Sequence, residues 1–393
     1  MRVNKNLSAA LSALTVVLCV LGALASFLVL HIPANGILLL FLLIPLFHCT
    51  HPDDFKALLL RSSFQYFLLF VGLCSLSVLA QNFFINDVRD ADGRSVHIFT
   101  SSTLLVGCLW AVAGAGVSNF MAERNLYTPL VLIGLCDLIV LPTLDGGFLI
   151  SYYDLAESGT EGVNHLLIAE LIVLLSFYCF AFSGYWFRSF VIANAALLLF
   201  AAGGRSTLYF GLLVMLAAVL RTGSKVSGVL IVGSVILSLV VAFFFVGIDS
   251  GDTLVARMLF SDGLSKDDSF SGRDEVLRSS LSNLPEQFLF GDPTLFVSQF
   301  GTIGSYVHNI ISAWQFFGFF PFALLVYILI FNARKIAKLD LRTADPVTIF
   351  GVLCFSYATL GVIFSKFIGF PALWFSLGFW STWIRSRALP RSS

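Results

Sequence analysis

Four arginines, one histidine and a few neighbouring polar groups are the residues of this chain best suited to chemistry. Arg205 follows two glycines in "AAGGRSTLYFG", at the end of an apolar run, with Tyr209 one turn further on. Glycine lets a backbone or a ligand approach closely. An arginine at that depth needs a partner, because an unpaired charge beside lipid is costly. Its planar guanidinium matches a phosphate at two points. Arg273 and Arg278 lie in "SGRDEVLRSSLSNLPEQFLFG", and Arg257 lies upstream in the same polar stretch. His308 and Asn309 begin "HNIISAWQFFG", with Ser312 and Gln315 four and seven residues after the histidine. At helical spacing these make a polar stripe descending from His308. Histidine titrates near neutrality and serves as a general base. Each residue also has a plainer reading: a snorkelling arginine, solvated loop charges, a histidine capping a helix.

Asp137 and Glu170 lie inside apolar runs, where acids are candidates for a proton or ion pathway; the plainer reading is a hydrogen bond between two helices. Asp90 and Asp92 have the DxD spacing of metal-dependent sugar-nucleotide enzymes but sit in the turn-like "VRDADGR". No P-loop, zinc motif or nucleophile elbow occurs, and the expectation is a site without metal or cofactor. The seven cysteines lie in or beside apolar runs without metal-ligand spacing and read as small apolar side chains.

These residues must be positioned by membrane helices. The chain is 58% hydrophobic and 12% charged, with a mean hydropathy of +0.91. Soluble domains carry about 25% charged residues. Apolar runs long enough to cross a bilayer recur from end to end. The pattern predicts an all-α polytopic membrane protein with twelve spans, near 8–30, 35–50, 62–81, 98–118, 128–148, 164–183, 187–203, 206–220, 227–247, 306–331, 347–364 and 370–385. The chain thus divides into spans one to nine within 1–247, one large loop at 248–305, and spans ten to twelve plus a tail within 306–393. The first apolar run is longer than a cleaved signal segment and reads as a retained span, although Ala23-Leu24-Ala25 faintly resembles a cleavage site. No internal repeat is visible. With the N-terminus inside, inner segments hold fifteen of the 23 lysines and arginines and outer segments eight. The positive-inside rule then places both termini in the cytoplasm and the large loop outside. Zero net charge gives no argument for partners and none for nucleic acid.

The large loop carries nine acids against four bases, so an anion site there depends on individual arginines placed by the fold. Ser271-Gly-Arg-Asp274 fits a capping box. Leu277, Leu281 and Leu284 follow at helical spacing and Pro285 limits extension, which predicts a short helix with one apolar side.

These elements resemble the bacterial O-antigen polymerase and O-antigen ligase superfamily. The resemblance rests on Gly204-Arg205-Ser206 at the end of a middle span, Gly272-Arg273 in the large loop followed by Pro285 and Phe290-Gly291, and His308-Asn309 leading a span with Gly318 ten residues on. It is informative over about 195–335; elsewhere only hydropathy agrees. It implies a GT-C-like, metal-independent glycosyltransferase of the inner membrane, with the large loop in the periplasm and a donor glycan on undecaprenyl diphosphate. Arg205 and Arg273, with Arg257 and Arg278 as further donor-binding candidates, would hold the diphosphate. His308 would assist the acceptor hydroxyl or position the donor, supported by Asn309, Ser312 and Tyr209. Implied partners are a glycan or lipid acceptor, the bilayer, and chain-length regulator and flippase proteins. The first outer loop, "HIPANG", lacks the acid used there by the other large class of membrane glycosyltransferase.

The leading expectation is a polysaccharide polymerase. The alternative is a ligase moving the finished glycan to lipid A-core or another acceptor. A transporter or flippase using Asp137 and Glu170 predicts broken helices in pairs and a repeat. A purely structural assembly subunit would not need His308.

Overall fold

Backbone groups in lipid must satisfy one another within a segment, and a helix does this. The computed structural model describes residues 59–118, 124, 126–143, 165–223, 268–285, 288–303 and 306–383, with 21 and 233 as isolated positions. Among these residues every regular element is helical, and the only β feature is an isolated bridge between Arg89 and Ser95. The helices are α1 (Ser62–Phe84), α2 (Val96–Ser118), α3 (Tyr127–Val140), α4 (His165–Phe182), α5 (Phe187–Ala201), α6 (Arg205–Thr222), α7 (Asp268–Asn283), α8 (Thr294–Phe300), α9 (Ile311–Phe317), α10 (Phe319–Ala337), α11 (Pro346–Phe364) and α12 (Pro371–Thr382). Five of them, α1, α2, α6, α10 and α11, are long and apolar enough to cross a membrane; α3, α4 and α5 are shorter and apolar. Leu68, Leu69, Leu76 and Leu79 of α1, Leu105 of α2 and Leu138 of α3 face outward, whereas α12 is buried along nearly its whole length. Apolar surface outside and helix-satisfied backbone inside describe a membrane-embedded helical protein. The expected spans near 8–30, 35–50 and 227–247, Arg257, and the tail lie outside the described residues apart from those two positions.

Small residues let the central helices approach. On α2, Gly107 lies against the Trp374 ring and Gly114 against the Phe375 carbonyl; on α12, Gly378 lies against the Ala111 carbonyl. A side chain at any of these would collide with its neighbour, which is the close small-residue packing expected of membrane helices. The start of α11 is written in its sequence. Asp345 accepts from the Thr348 N–H at 2.9 Å, and Pro346 occupies the first turn, where its missing N–H costs nothing.

Two expectations are corrected. The run 306–331 is not one span: Gly318, at φ 86°, breaks it into α9 and α10. That backbone region favours glycine, and Pro321 is tolerated because it falls in the first turn of α10. The second concerns Ser271, which does not cap α7, because the helix already runs from Asp268. The helix does stop before Pro285, at Asn283.

The bundle sorts its charges by end. At one end Arg61 donates to the Thr382 carbonyl (3.0 Å), Arg124 to Ala344 (3.2 Å) and Arg221 to Leu339 (2.9 Å), while Arg188 donates to Phe180 and Thr222. These four arginines are among the residues that the charge rule assigned to the inner side, and each meets a helix end or loop assigned to that side. The opposite end gathers Arg205, His308 and Lys366.

Candidate active site

The site end is assembled by glycines and a clamp. The α5–α6 turn needs Gly203 in the left-handed region, φ 69°. Gly204 then lets α6 lie directly on Ala169 of α4, and Gly211 does the same against Val173. The close approach is therefore to a helix, not to a ligand. It sets Arg205 as the first residue of α6, half-buried, and Thr207 fully buried against α4. Tyr209 is near enough to feel the Arg205 charge and is 42% exposed.

Phe290-Gly291 and Gly318 meet back to back. A Cβ at Gly291 would strike the Gln315 and Trp314 carbonyls, and one at Gly318 would strike the Leu289 carbonyl. Phe319 N–H donates to the Phe288 carbonyl at 2.9 Å. Gln81 of α1 donates to both the Phe290 and Phe316 carbonyls (2.7 and 2.6 Å), and Ser77 donates to Phe317 at 2.6 Å. The glycines of two separate sequence motifs thus form one junction, which fixes where the loop 306–310 emerges.

His308 lies in that loop, ahead of α9, with its ring 5.0 Å from Tyr306. Tyr306 is packed against Phe367 (4.2 Å), Phe316 (5.8 Å) and Phe99 (6.3 Å). Burial, then the charges of Arg273 and Lys366, push the imidazole from 6.5 down to about 4. Burial raises the Tyr306 phenol to about 12, with Arg273 pulling the other way. Arg273, exposed on α7, therefore acts on both rings. His308 is held as a neutral imidazole by burial and by the positive charge of Arg273 and Lys366, which leaves a ring nitrogen able to accept a proton.

The other expected residues fall into place unequally. Arg278 is not brought to the site: it pairs with Asp274 one turn back at 2.8 Å and its side chain is 80% exposed. Ser312 does not descend from His308 as part of a stripe. It is buried and accepts the Ile368 N–H at 2.8 Å, while Gln315 turns back to accept the Val307 N–H at 3.2 Å. The stripe fails because α9 begins three residues after His308, so helical spacing does not extend back to it. Asn309 accepts the Ile311 N–H at 2.9 Å and starts α9; its role is local. Asp137 accepts from Asn194 at 3.0 Å, an α3–α5 link. Asp90 and Asp92 both pair with Arg94, at 2.7 and 2.8 Å, inside their turn.

One constellation was not foreseen. Glu170 of α4 is buried and ion-paired with Lys366 at 2.6 Å. Tyr357 of α11 donates to its other oxygen at 2.6 Å, and Thr207 donates to the first at 3.1 Å. The signal was present: an acid inside an apolar run and a lysine between two apolar runs, which charge parity places at the same end. Comparison with family models, with curated proteins and with solved structures finds no match to this chain.

Proposed function

We propose that this chain is a membrane glycosyltransferase that takes a glycan from undecaprenyl diphosphate and extends a polysaccharide with it. The observation that carries the reading is the neutral His308 held beside Arg273 and Lys366 at the end of the bundle that also bears Arg205. A diphosphate leaving group carries roughly two to three negative charges, and preorganised cations stabilise that charge as it develops. Arg273 and Arg205 present planar forks suited to phosphate oxygens. In the reaction the acceptor hydroxyl oxygen attacks the anomeric carbon. The bond from that carbon to the diphosphate oxygen breaks, and its electron pair leaves with undecaprenyl diphosphate. The hydroxyl proton passes to His308. The resemblance to O-antigen polymerases and ligases supports the periplasmic face, the inner membrane and cytoplasmic termini.

The acceptor separates polymerase from ligase. A deletion strain whose lipid A-core carries a single repeat unit supports the polymerase. A strain whose lipid A-core carries none supports the ligase. Normal long chains in the deletion strain would overturn both.

A further inference from the structure

Lys366 has the position of a working residue rather than of a helix tie. Its backbone is held rigidly: Lys366 N–H and Ser365 N–H both donate to the Gly361 carbonyl at 2.8 Å, the Ile368 N–H is held by Ser312, and Trp374 donates to the Ile368 carbonyl at 2.7 Å. The next residue, Phe367, forms a wall of the Tyr306–His308 pocket. The stem lies over Gly361, where a Cβ would come within 3.3 Å of its Cγ. The ammonium has three N–H groups. One goes to Glu170 at 2.6 Å and one to Thr207 at 3.3 Å, and the ammonium also faces the Phe370 ring at 5.9 Å, a contact that leaves an N–H group for a further acceptor. Thr207 itself stands two residues after Arg205, so the helix that presents the arginine also touches the lysine.

We propose that Lys366 is a third cation of the diphosphate site, resting on Glu170 in the free protein and shared with the anion when a lipid diphosphate binds. This rests on the reading of the site given above and adds a residue and a resting partner to it. Glu170 is built to release the lysine. With Lys366 turned away, the carboxylate keeps the Tyr357 hydroxyl and the Thr207 hydroxyl as donors. A pair serving only to hold helices gains little, because a buried ion pair is often no more stabilising than apolar side chains of the same volume. The surrounding backbone is held by hydrogen bonds, so the movement we propose is one of the lysine side chain. A compact, flexible ammonium suits this movement where an arginine fork would not.

The test uses the full chain in nanodiscs and measures binding of undecaprenyl diphosphate, with undecaprenol as the control lacking phosphate. The double variant Glu170→Gln/Lys366→Met removes the pair without leaving a buried charge, and its thermal unfolding is compared with wild type. We expect it to unfold near the wild-type temperature and to bind undecaprenyl diphosphate roughly tenfold to a hundredfold more weakly, the loss of one charge-assisted contact. Glu170→Gln alone frees the lysine from its counter-charge and should bind several-fold more tightly. A structural pair does not give these opposite signs. Wild-type affinity in both variants overturns the role of Lys366 and leaves the glycosyltransferase reading standing. If the double variant does not fold, unchanged affinity in Glu170→Gln is enough to overturn it. Wild-type protein that binds undecaprenyl diphosphate no better than undecaprenol overturns both readings.

Discussion

His308 should behave as a base that stays neutral far below the usual histidine range, and that behaviour is measurable. With its ionisation lowered from 6.5 to about 4, it keeps a proton-accepting nitrogen across the whole mildly acidic range. At pH 5.5 an ordinary histidine is ~9% neutral, whereas one titrating at 4 is ~97% neutral. The acid limb of kcat/KM should therefore lie below about pH 5, where an unperturbed base would already have cost about tenfold at pH 5.5. Stability follows the same linkage. The unfolded chain takes up this proton near 6.5 and the folded one near 4, so the contribution is present above 6.5 and is lost as pH falls from 6.5 towards 4.

Full-length protein carrying ¹³Cε1-labelled histidine reports this directly by NMR, with the signal assigned by its absence in His308→Gln. The chain has six histidines, so the spectrum is simple. Arg273→Gln removes one of the two neighbouring positive charges and should raise the His308 midpoint. Burial and Lys366 remain, so the midpoint should stay below 6.5. Inorganic pyrophosphate, bringing negative charge to the same place, should raise it further. A midpoint near 6.5 in the free protein would refute the reasoning, as would one indifferent to Arg273→Gln.

Arg273→Ala and Arg205→Ala should abolish transfer in cells at unchanged membrane abundance, and Lys at either place should rescue poorly because it lacks the planar fork; near-normal glycan chains would remove that residue from the site. Arg278→Ala should leave chain length and abundance as in wild type, since an exposed one-turn ion pair contributes little. Gly318→Ala should greatly reduce folded protein, detectable as loss of the monodisperse species in detergent, because a Cβ there meets the Leu289 carbonyl in a left-handed turn. A cysteine at exposed Ser298 should react with an impermeant thiol reagent in intact cells and one at exposed Thr343 should not, each compared with the parent protein that carries only the seven native cysteines. The reverse pattern would place the site on the cytoplasmic side.

Hydropathy located most of the described helices to within a few residues, since apolar length is a property of a single segment. Glycine's two uses were less legible. "GG" before Arg205 read as room for a backbone or a ligand, and the structure uses it for the chain itself: one glycine makes the turn and the other admits α4. Gly318 lay inside a run apolar enough to pass for a single helix, and its break is visible only once Gly291 packs against it from sequence-distant chain. Arg278 misled because one-turn spacing to Asp274 satisfies it locally, a contact that the pattern of a basic helix face does not distinguish from a ligand site. Lys366 was overlooked because its partner is 196 positions away. Only the topology joins them: an odd-to-even span count puts the start of α4 and the α11–α12 loop at the same end.

The charge arrangement couples the two halves of the proposed reaction. An imidazolium at His308 would meet the positive charge of Arg273 and Lys366 and is disfavoured while they are uncompensated. Diphosphate compensates them, and it gains charge as its bond to the sugar breaks. In the proposed reaction this arrangement would make His308 a stronger base at the moment the leaving group departs, and a weaker one before the donor binds. Glu170 bears on the same balance from the other side. By holding Lys366 at 2.6 Å it tempers one of the two cations. A carboxylate placed at His308 itself would be ionised and attracted to Arg273, competing with a diphosphate for the same arginine. A neutral base avoids that competition, which gives a physical reason for histidine, rather than aspartate or glutamate, at the mouth of a site built from cations.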